Sequence, residues 1–200
     1  MKINYFFRKY PSLFFIFLAM LFVGIEGSFT FCSKSVCPGF TDAYYDQWFP
    51  YTTGQQIVFA TLSGKADTVK IGSAEKSQPF SSYNACGSSY ASVRSDSGST
   101  FFYVNAYNNG NTQTTIMLDS FETAGIAISD TGIVTNAESV SIPPKFLSSV
   151  TLNGKTFSDV QLLSKDTIYS STNIYKVWMA RNKGLVAYQK RIANELFIRQ

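Results

Sequence analysis

From residue 41 onward the chain runs in short apolar–polar alternations, and Gly, Asn, Asp and Ser interrupt them at close intervals. Ser63-Gly64-Lys65 separates a run over Gln55–Leu62 from one over Asp67–Ile71. Asp96-Ser97-Gly98 separates Tyr90–Arg94 from Thr100–Tyr107, and Asn108-Asn109-Gly110-Asn111 separates that run from Thr112–Leu118. Asn153-Gly154, between Val150–Leu152 and Lys155–Phe157, is the strongest two-residue hairpin signal in the chain. The runs are rich in Val, Ile, Thr, Tyr and Phe, which suit a pleated, half-buried surface. Towards the end, Asn173–Ala180, Leu185–Tyr188 and Glu195–Arg199 read as three strands, the first two turning at Arg181–Gly184.

In Phe101–Tyr107, one face takes Phe101, Tyr103, Asn105 and Tyr107, and the other takes Phe102, Val104 and Ala106. Both faces are partly apolar, which predicts a central strand between two layers. Helical periodicity is weak throughout; Ser120–Ala127 and Pro144–Ser149 are the two places where a short helical turn is expected. The fold class that follows is all-β: an antiparallel β-sandwich or half-open barrel of about nine to eleven short strands. Pro143-Pro144 is the best candidate boundary between an N-terminal and a C-terminal β layer.

The first thirty residues follow another pattern. Lys2, Arg8 and Lys9 precede an uncharged run from Leu13 to Val23. That run is about a dozen residues long, short of the ~20 that a spanning helix needs. A short apolar block behind positive charges is the pattern of a secretory signal peptide. The expected organisation is a signal over 1–27, a tether over 28–40 and a single β-rich domain over 41–200. Two endings compete: cleavage after Gly27, or lipidation of Cys32. Phe31, directly before Cys32, fits the second badly, since a lipobox wants a small residue there.

Cysteine arithmetic pulls towards lipidation. Cys32, Cys37 and Cys86 all follow the signal, and an exported chain meets an oxidising compartment where an odd thiol is a liability. With Cys32 lipidated, Cys37 and Cys86 remain as one disulfide, whose loop of about 49 residues contributes on the order of 4 kcal/mol in the chain-entropy model. The Cys32–Cys37 spacing fits no metal pattern, so neither metal nor cofactor is expected.

Composition narrows function mainly by exclusion. The chain has no histidine, which removes Ser-His and Cys-His nucleophiles and His-ligated zinc or haem. Charged residues are only 15% and aromatics 16%, with 18 Phe and 12 Tyr, so an apolar core is affordable and disorder is not expected. The formal charge of +4 shrinks when the signal goes. Three basic residues (Lys2, Arg8, Lys9) and one acidic (Glu26) leave with it, so 14 stand against 12. That balance gives no case for nucleic acid. The basic residues near the C-terminus, Lys176, Arg181, Lys183, Lys190, Arg191 and Arg199, read as a solvated face and edge protection. No Asn-x-Ser/Thr site occurs in a chain so rich in Ser and Thr, which leans towards a bacterial envelope.

Chemistry has few footholds. Asp42 with Asp46, and Asp119 with Glu122, are the acid pairs from which a carboxylate-dependent hydrolase could be built. Each pair lies in a turn-like stretch, where solvated turn residues or caps are the plainer reading. The densest constellation is aromatic: Phe40, Tyr44, Tyr45, Trp48, Phe49 and Tyr51, with Asp42, Asp46 and Gln47 among them. Such a cluster serves a glycan-binding face or a protein interface, and Tyr44, Tyr45, Trp48 and Tyr51 are its candidate binding residues. The competing reading packs them on the first sheet with Trp48 plugging the core. A second cluster, Tyr169, Tyr175, Trp178 and Tyr188, reads as core.

The cysteine pair ahead of Asp46-Gln47-Trp48-Phe49-Pro50-Tyr51, the run Asn153–Val160, and Lys183-Gly184-Leu185-Val186-Ala187-Tyr188 together resemble short uncharacterised exported lipoproteins of Bacteroidota. The resemblance implies an envelope location, usually with the first cysteine lipidated, and it implies no catalytic residue. The expectation is therefore a non-enzymatic protein in the periplasm, outer membrane or surface of a bacterium. It acts by binding or structural association with an envelope protein or glycan, attached to the membrane through lipid on Cys32. A glycan-binding accessory module using Tyr44, Tyr45 and Trp48 is the alternative.

Overall fold

Turn chemistry places the strands. The structure, a computed structural model, describes residues 39–77, 81–82, 85–86, 88–108, 112–129, 132–135, 142–165, 173–192 and 194–200. The expected signal, most of the tether, Cys32 and Cys37 lie outside these residues, and so do the Cys37–Cys86 disulfide and Tyr169. One helix, α1 (Ala43–Trp48), precedes β1 (Gln56–Ala60), β2 (Ala66–Lys76), β3 (Ser81–Ser82), β4 (Ala85–Cys86), β5 (Ser89–Ser95), β6 (Phe102–Asn108) and β7 (Thr112–Leu118). Then come β8 (Phe121–Ser129), β9 (Gly132–Thr135), β10 (Lys145–Leu152), β11 (Lys155–Ser164), β12 (Ile174–Ala180), β13 (Gly184–Lys190) and β14 (Leu196–Arg199). The β10–β11 hairpin turns through Asn153 and Gly154, both at positive φ, as a type I′ turn requires.

β3 and β4 form a two-stranded sheet of their own. The other strands make one twelve-stranded antiparallel sheet in the order β10-β11-β12-β13-β14-β1-β2-β5-β6-β7-β8-β9, carried by the unit of residues 37–80 and 86–200. The sheet curls into a half-open barrel, so the all-β expectation holds. The two stretches where a helical turn was expected are strands instead. In β8, Phe121, Thr123 and Ile126 are buried between more exposed neighbours, and β10 is paired to β11 from Lys145 to Leu152 except at Ser148. Ladder hydrogen bonds outweigh weak local propensity there. Pro143-Pro144 lies on the connection between β9 and β10, the two edges of the sheet.

β2 makes the corner. Its residues 66–70 pair with β1 and its residues 71–76 with β5, with a register shift between Ile71 and Ser73. Gly72 sits at that shift, where a Cβ would collide with the Asp96 side chain. A bulge with a glycine at its centre is how a sheet bends on purpose.

The concave face of the sheet is filled from outside the sheet. Phe40, Tyr45, Trp48, Phe49 and Tyr51 join Ile57, Phe59, Val69, Phe102, Ile116, Phe121, Tyr188 and Phe197 in one buried cluster. Helix α1 is too short to persist alone. Asp42 caps it, its Oδ1 accepting from the backbone N–H of Tyr44 (2.9 Å) and Tyr45 (3.0 Å). Tyr45 and Trp48, three residues apart on one face, anchor it in the core. The Trp48 indole N–H has no hydrogen-bond partner among the described residues. Such an orphan costs about 1–3 kcal/mol, whereas removing a buried Trp side chain costs about 3–5 kcal/mol. Packing therefore wins.

A second cluster lies on the opposite face of β11 to β14: Leu152, Phe157, Val160, Trp178, Ala180, Val186, Ala187 and Ile198. The β10–β11 hairpin covers it. Lys155 at its tip donates to the Arg199 carbonyl and to Gln200 Oε1, each at 3.0 Å, which ties the hairpin to the end of β14.

Gly184 opens β13 at φ 72°, and a Cβ there would lie 2.6 Å from Cζ of the buried Tyr51. Gly154 is also at positive φ but has open space around its Cα. Gly184→Ala adds backbone strain to steric overlap and should destabilise by about 2–4 kcal/mol. Gly154→Ala carries the strain alone, about 1–2 kcal/mol. Urea denaturation of the two variants should rank them in that order; equal losses would mean that Tyr51 does not occupy this place.

Candidate functional site

The residues expected to form an aromatic binding platform are mostly interior. Trp48 is wholly buried, Tyr45 and Tyr51 nearly so, and of the four only Tyr44 is exposed, at 37%. Tyr45 packs between Phe40 (5.2 Å) and Phe49 (5.0 Å), and Tyr51 meets Phe102 edge-on at 5.2 Å. The Tyr51 hydroxyl accepts the Leu185 N–H at 2.6 Å. This corrects the platform reading: the curled sheet needs these rings as filling, so they are not available as a surface. In the second cluster Tyr188 and Trp178 are buried and Tyr175 is half-buried.

The acid pairs resolve into local structure. Asp42 is the cap of α1, and Asp46 is ion-paired with Lys76 at 2.7 Å. Asp119 takes positive φ in the β7–β8 turn, where its Oδ1 accepts the Phe101 N–H at 3.2 Å; Glu122 is exposed on β8. Among the described residues no group of His, Cys, Asp and Glu could hold a metal ion.

The fold assembles two constellations that local spacing did not announce. The first centres on Asp67 of β2. Its Oδ1 accepts from Thr100 Oγ1 and from the Thr68 N–H (2.8 Å), its Oδ2 accepts the Tyr188 hydroxyl, and Lys190 Nζ lies 3.6 Å from Oδ2. The Tyr188 ring is stacked on Phe197 at 5.0 Å and 7°, with Phe59 edge-on at 5.3 Å. Lys190 Nζ sits over the Phe197 ring at 4.7 Å.

Burial alone would push the Asp67 carboxyl up. The hydrogen bonds from Thr100 and Tyr188, the Lys190 charge and the Thr68 N–H outweigh it and hold Asp67 below the usual carboxylate range. Asp119 goes the other way: burial raises it, the charge of Asp67 adds to that, and the Phe101 N–H and Lys190 only partly compensate. Tyr188 is pushed up by burial and by donating to Asp67, so it stays a donor. Both Asp67 oxygens are thus engaged, by side chains from β13 and the β5–β6 loop and by a backbone N–H of its own strand. The arrangement ties three parts of the sheet together.

The second constellation is the outer face of β5, β6 and β7. Phe102, Val104 and Ala106 of β6 point inward and are fully buried, while Phe101 (37%), Tyr107 (40%) and Tyr90 (45%) are exposed. This face was expected to lie under a second layer; instead it carries a shallow groove of about 510 Å³. The groove is lined by Ser73, Ser88, Tyr90, Ser92, Arg94, Tyr103, Asn105 and Tyr107. Register sets the pattern: Tyr90 faces Tyr107, Ser92 faces Asn105 and Arg94 faces Tyr103, with Thr115 and Gln113 opposite Asn105 and Tyr107 on β7. Phe101 and Tyr103 are stacked at 6.5 Å and 24°. A second groove of about 650 Å³ shares Ser73 and Arg94 with the first and reaches Phe101.

The alternation of Phe101, Tyr103, Asn105 and Tyr107 was visible in the sequence, and the exposure of that face was not. Asp67 and Tyr188 are 121 residues apart and left no local signal. No family model, curated protein or solved structure matches this chain.

The two aspartates make opposite contributions to acid stability. With an unfolded value of ~3.9, the stability that Asp67 contributes is present above that pH and is lost as pH falls through its lower folded value. The cost of ionising Asp119 is present above its raised folded value and vanishes below ~3.9. Asp67→Asn should therefore lose about 1–3 kcal/mol at pH 7, the worth of a charge-assisted hydrogen bond, and show a flatter decline below pH ~4. Asp119→Asn, which keeps an acceptor and tolerates positive φ, should be as stable as the parent or slightly more so at pH 7. Urea midpoints across pH check both, and a decline below pH ~4 unchanged in Asp67→Asn would sink the assignment.

Proposed function

We propose that this protein is exported to a bacterial envelope and acts there by binding, not by catalysis, through the outer face of β5, β6 and β7. The observation that carries the reading is the contrast between the two outer faces of the sheet. The apolar outer face of β11 to β14 is covered by the chain's own hairpin. The aromatic face of β5 to β7 has Tyr90, Phe101 and Tyr107 exposed. Side chains of this size are held open to water at a cost, and a clustered exposed patch is the usual mark of an interaction surface. Binding is favoured over catalysis because the carboxylate with the most developed surroundings, Asp67, has its oxygens committed to structural donors.

Export rests on the charged-then-apolar N-terminal pattern, and membrane attachment on lipidation of Cys32, with Cys37 and Cys86 paired. In this reading the anchor holds the domain at a surface and the aromatic face meets an envelope component.

Tyrosine nitration of intact envelopes, compared with the purified protein, tests the reading. Tyr90 and Tyr107 should react in the purified protein and be protected in the envelope, while Tyr44 reacts in both. Equal reactivity of Tyr90 and Tyr107 in the two preparations would remove the binding face. The same mass spectra should place an acyl increment on Cys32, and an unmodified mature chain beginning at Ser28 would rule out the anchor.

A further inference from the structure

We propose that the outer face of β5–β7 binds a linear, neutral glycan laid along β6. The inference rests on the reading of this face as the binding surface and assigns it a ligand class. A pyranose ring presents patches of C–H on its faces and hydroxyls at its edge, so its binding surface needs flat rings interleaved with neutral hydrogen-bonding groups.

The face alternates in that way. Along β6 the rings of Phe101, Tyr103 and Tyr107 share one side with Asn105 between the last two, and Tyr90 widens the platform opposite Tyr107. Phe101 and Tyr103 are stacked on one another, 24° from parallel, and stand as a pair of rings at the start of the row. From Phe101 to Tyr107 is six residues of extended chain, about 20 Å, enough for several sugar rings in line.

Hydrogen-bonding groups flank the row. Ser92 stands opposite Asn105 on β5, and Thr115 opposite Asn105 on β7. Arg94 is the one charged side chain lining the groove from Tyr103 to Tyr107, among the described residues. Asp96 joins it in the groove at the Phe101 end, so the two charges offset. A polyanion such as nucleic acid would call for several cations. A stable protein interface would call for a dry apolar centre ringed by polar groups; here polar and aromatic groups alternate to the end of the row. The groove is open and shallow, as a polymer lying across a sheet requires, and unlike the enclosed apolar pocket that holds a small apolar molecule.

An array of linear neutral glycans, with linear uronate polymers as the charged arm, tests this on the purified protein. At least one neutral class should be retained. Tyr103→Ala and Tyr107→Ala should each weaken that binding tenfold or more, and Tyr44→Ala should leave it unchanged. All three side chains are at least partly exposed, so each variant should keep the parent's melting temperature. A blank array, preference for the uronate polymers, or binding indifferent to Tyr103→Ala and Tyr107→Ala would each overturn the glycan assignment. If the array is blank while nitration of Tyr107 is still blocked in the envelope, the ligand class fails and the binding face stands. If that protection is also absent, both fail.

Discussion

The structure depends on one packing constraint: a sheet curled this strongly encloses more space than its own inward side chains fill. The segment from Phe40 to Tyr51 supplies the missing volume as a plug of rings, with Trp48 at its centre. It is tied at its start by the Phe40 N–H donating to the Ser77 carbonyl. Towards its end, Tyr51 Oη accepts from the Leu185 N–H, and the Gln47 carbonyl accepts from the Asn182 N–H in the β12–β13 turn. Arg181 in that turn lies over the Trp48 ring at 5.7 Å. The requirement at Gly184 follows directly, because the β12–β13 turn must leave room for Tyr51. An interior occupied in this way leaves its concave face as core, and the binding proposed above falls to the convex one.

The convex face is treated differently in its two halves, and the proposed binding function rests on that asymmetry. Behind β11 to β14 the apolar side chains are covered by a hairpin whose tip is fastened by Lys155 to the last residues of the chain. Behind β5 to β7 the exposed side chains are larger and more aromatic. Covering one half costs the chain a hairpin; leaving the other open keeps rings such as Tyr90 and Tyr107 in water. The Asp67 centre belongs to the structural side of this division. Its bonds to Tyr188 and Thr100 hold β2, β13 and the approach to β6 together.

Most of the fold was legible because turn residues and alternation are local. Asn153-Gly154 gave the β10–β11 hairpin, and the three C-terminal strands lie within a residue or two of where alternation set them. Helix α1 was not legible, since its six residues show no apolar stripe beyond Tyr45 and Trp48, and its cap Asp42 read equally well as a turn. The candidate site divides the same way. Alternation along Phe101–Tyr107 separated the right two faces, yet a two-sided apolar strand reads as a sandwich centre, because burial of the second face is decided by what the rest of the chain covers. Tyr44, Tyr45, Trp48 and Tyr51 drew attention by density, and density in sequence does not distinguish a plug from a platform. The Asp67 cluster joins residues from separate strands and could be seen only in three dimensions.

The central claim is that the Trp48 segment is filling and not surface. Trp48 is one of two tryptophans, so acrylamide quenching of a Trp178→Phe variant reports on it alone. Quenching far below that of the same variant unfolded in urea, and unchanged when the outer face is occupied or mutated, is the result this account predicts. Native quenching as efficient as in the unfolded chain would place Trp48 at the surface and contradict it.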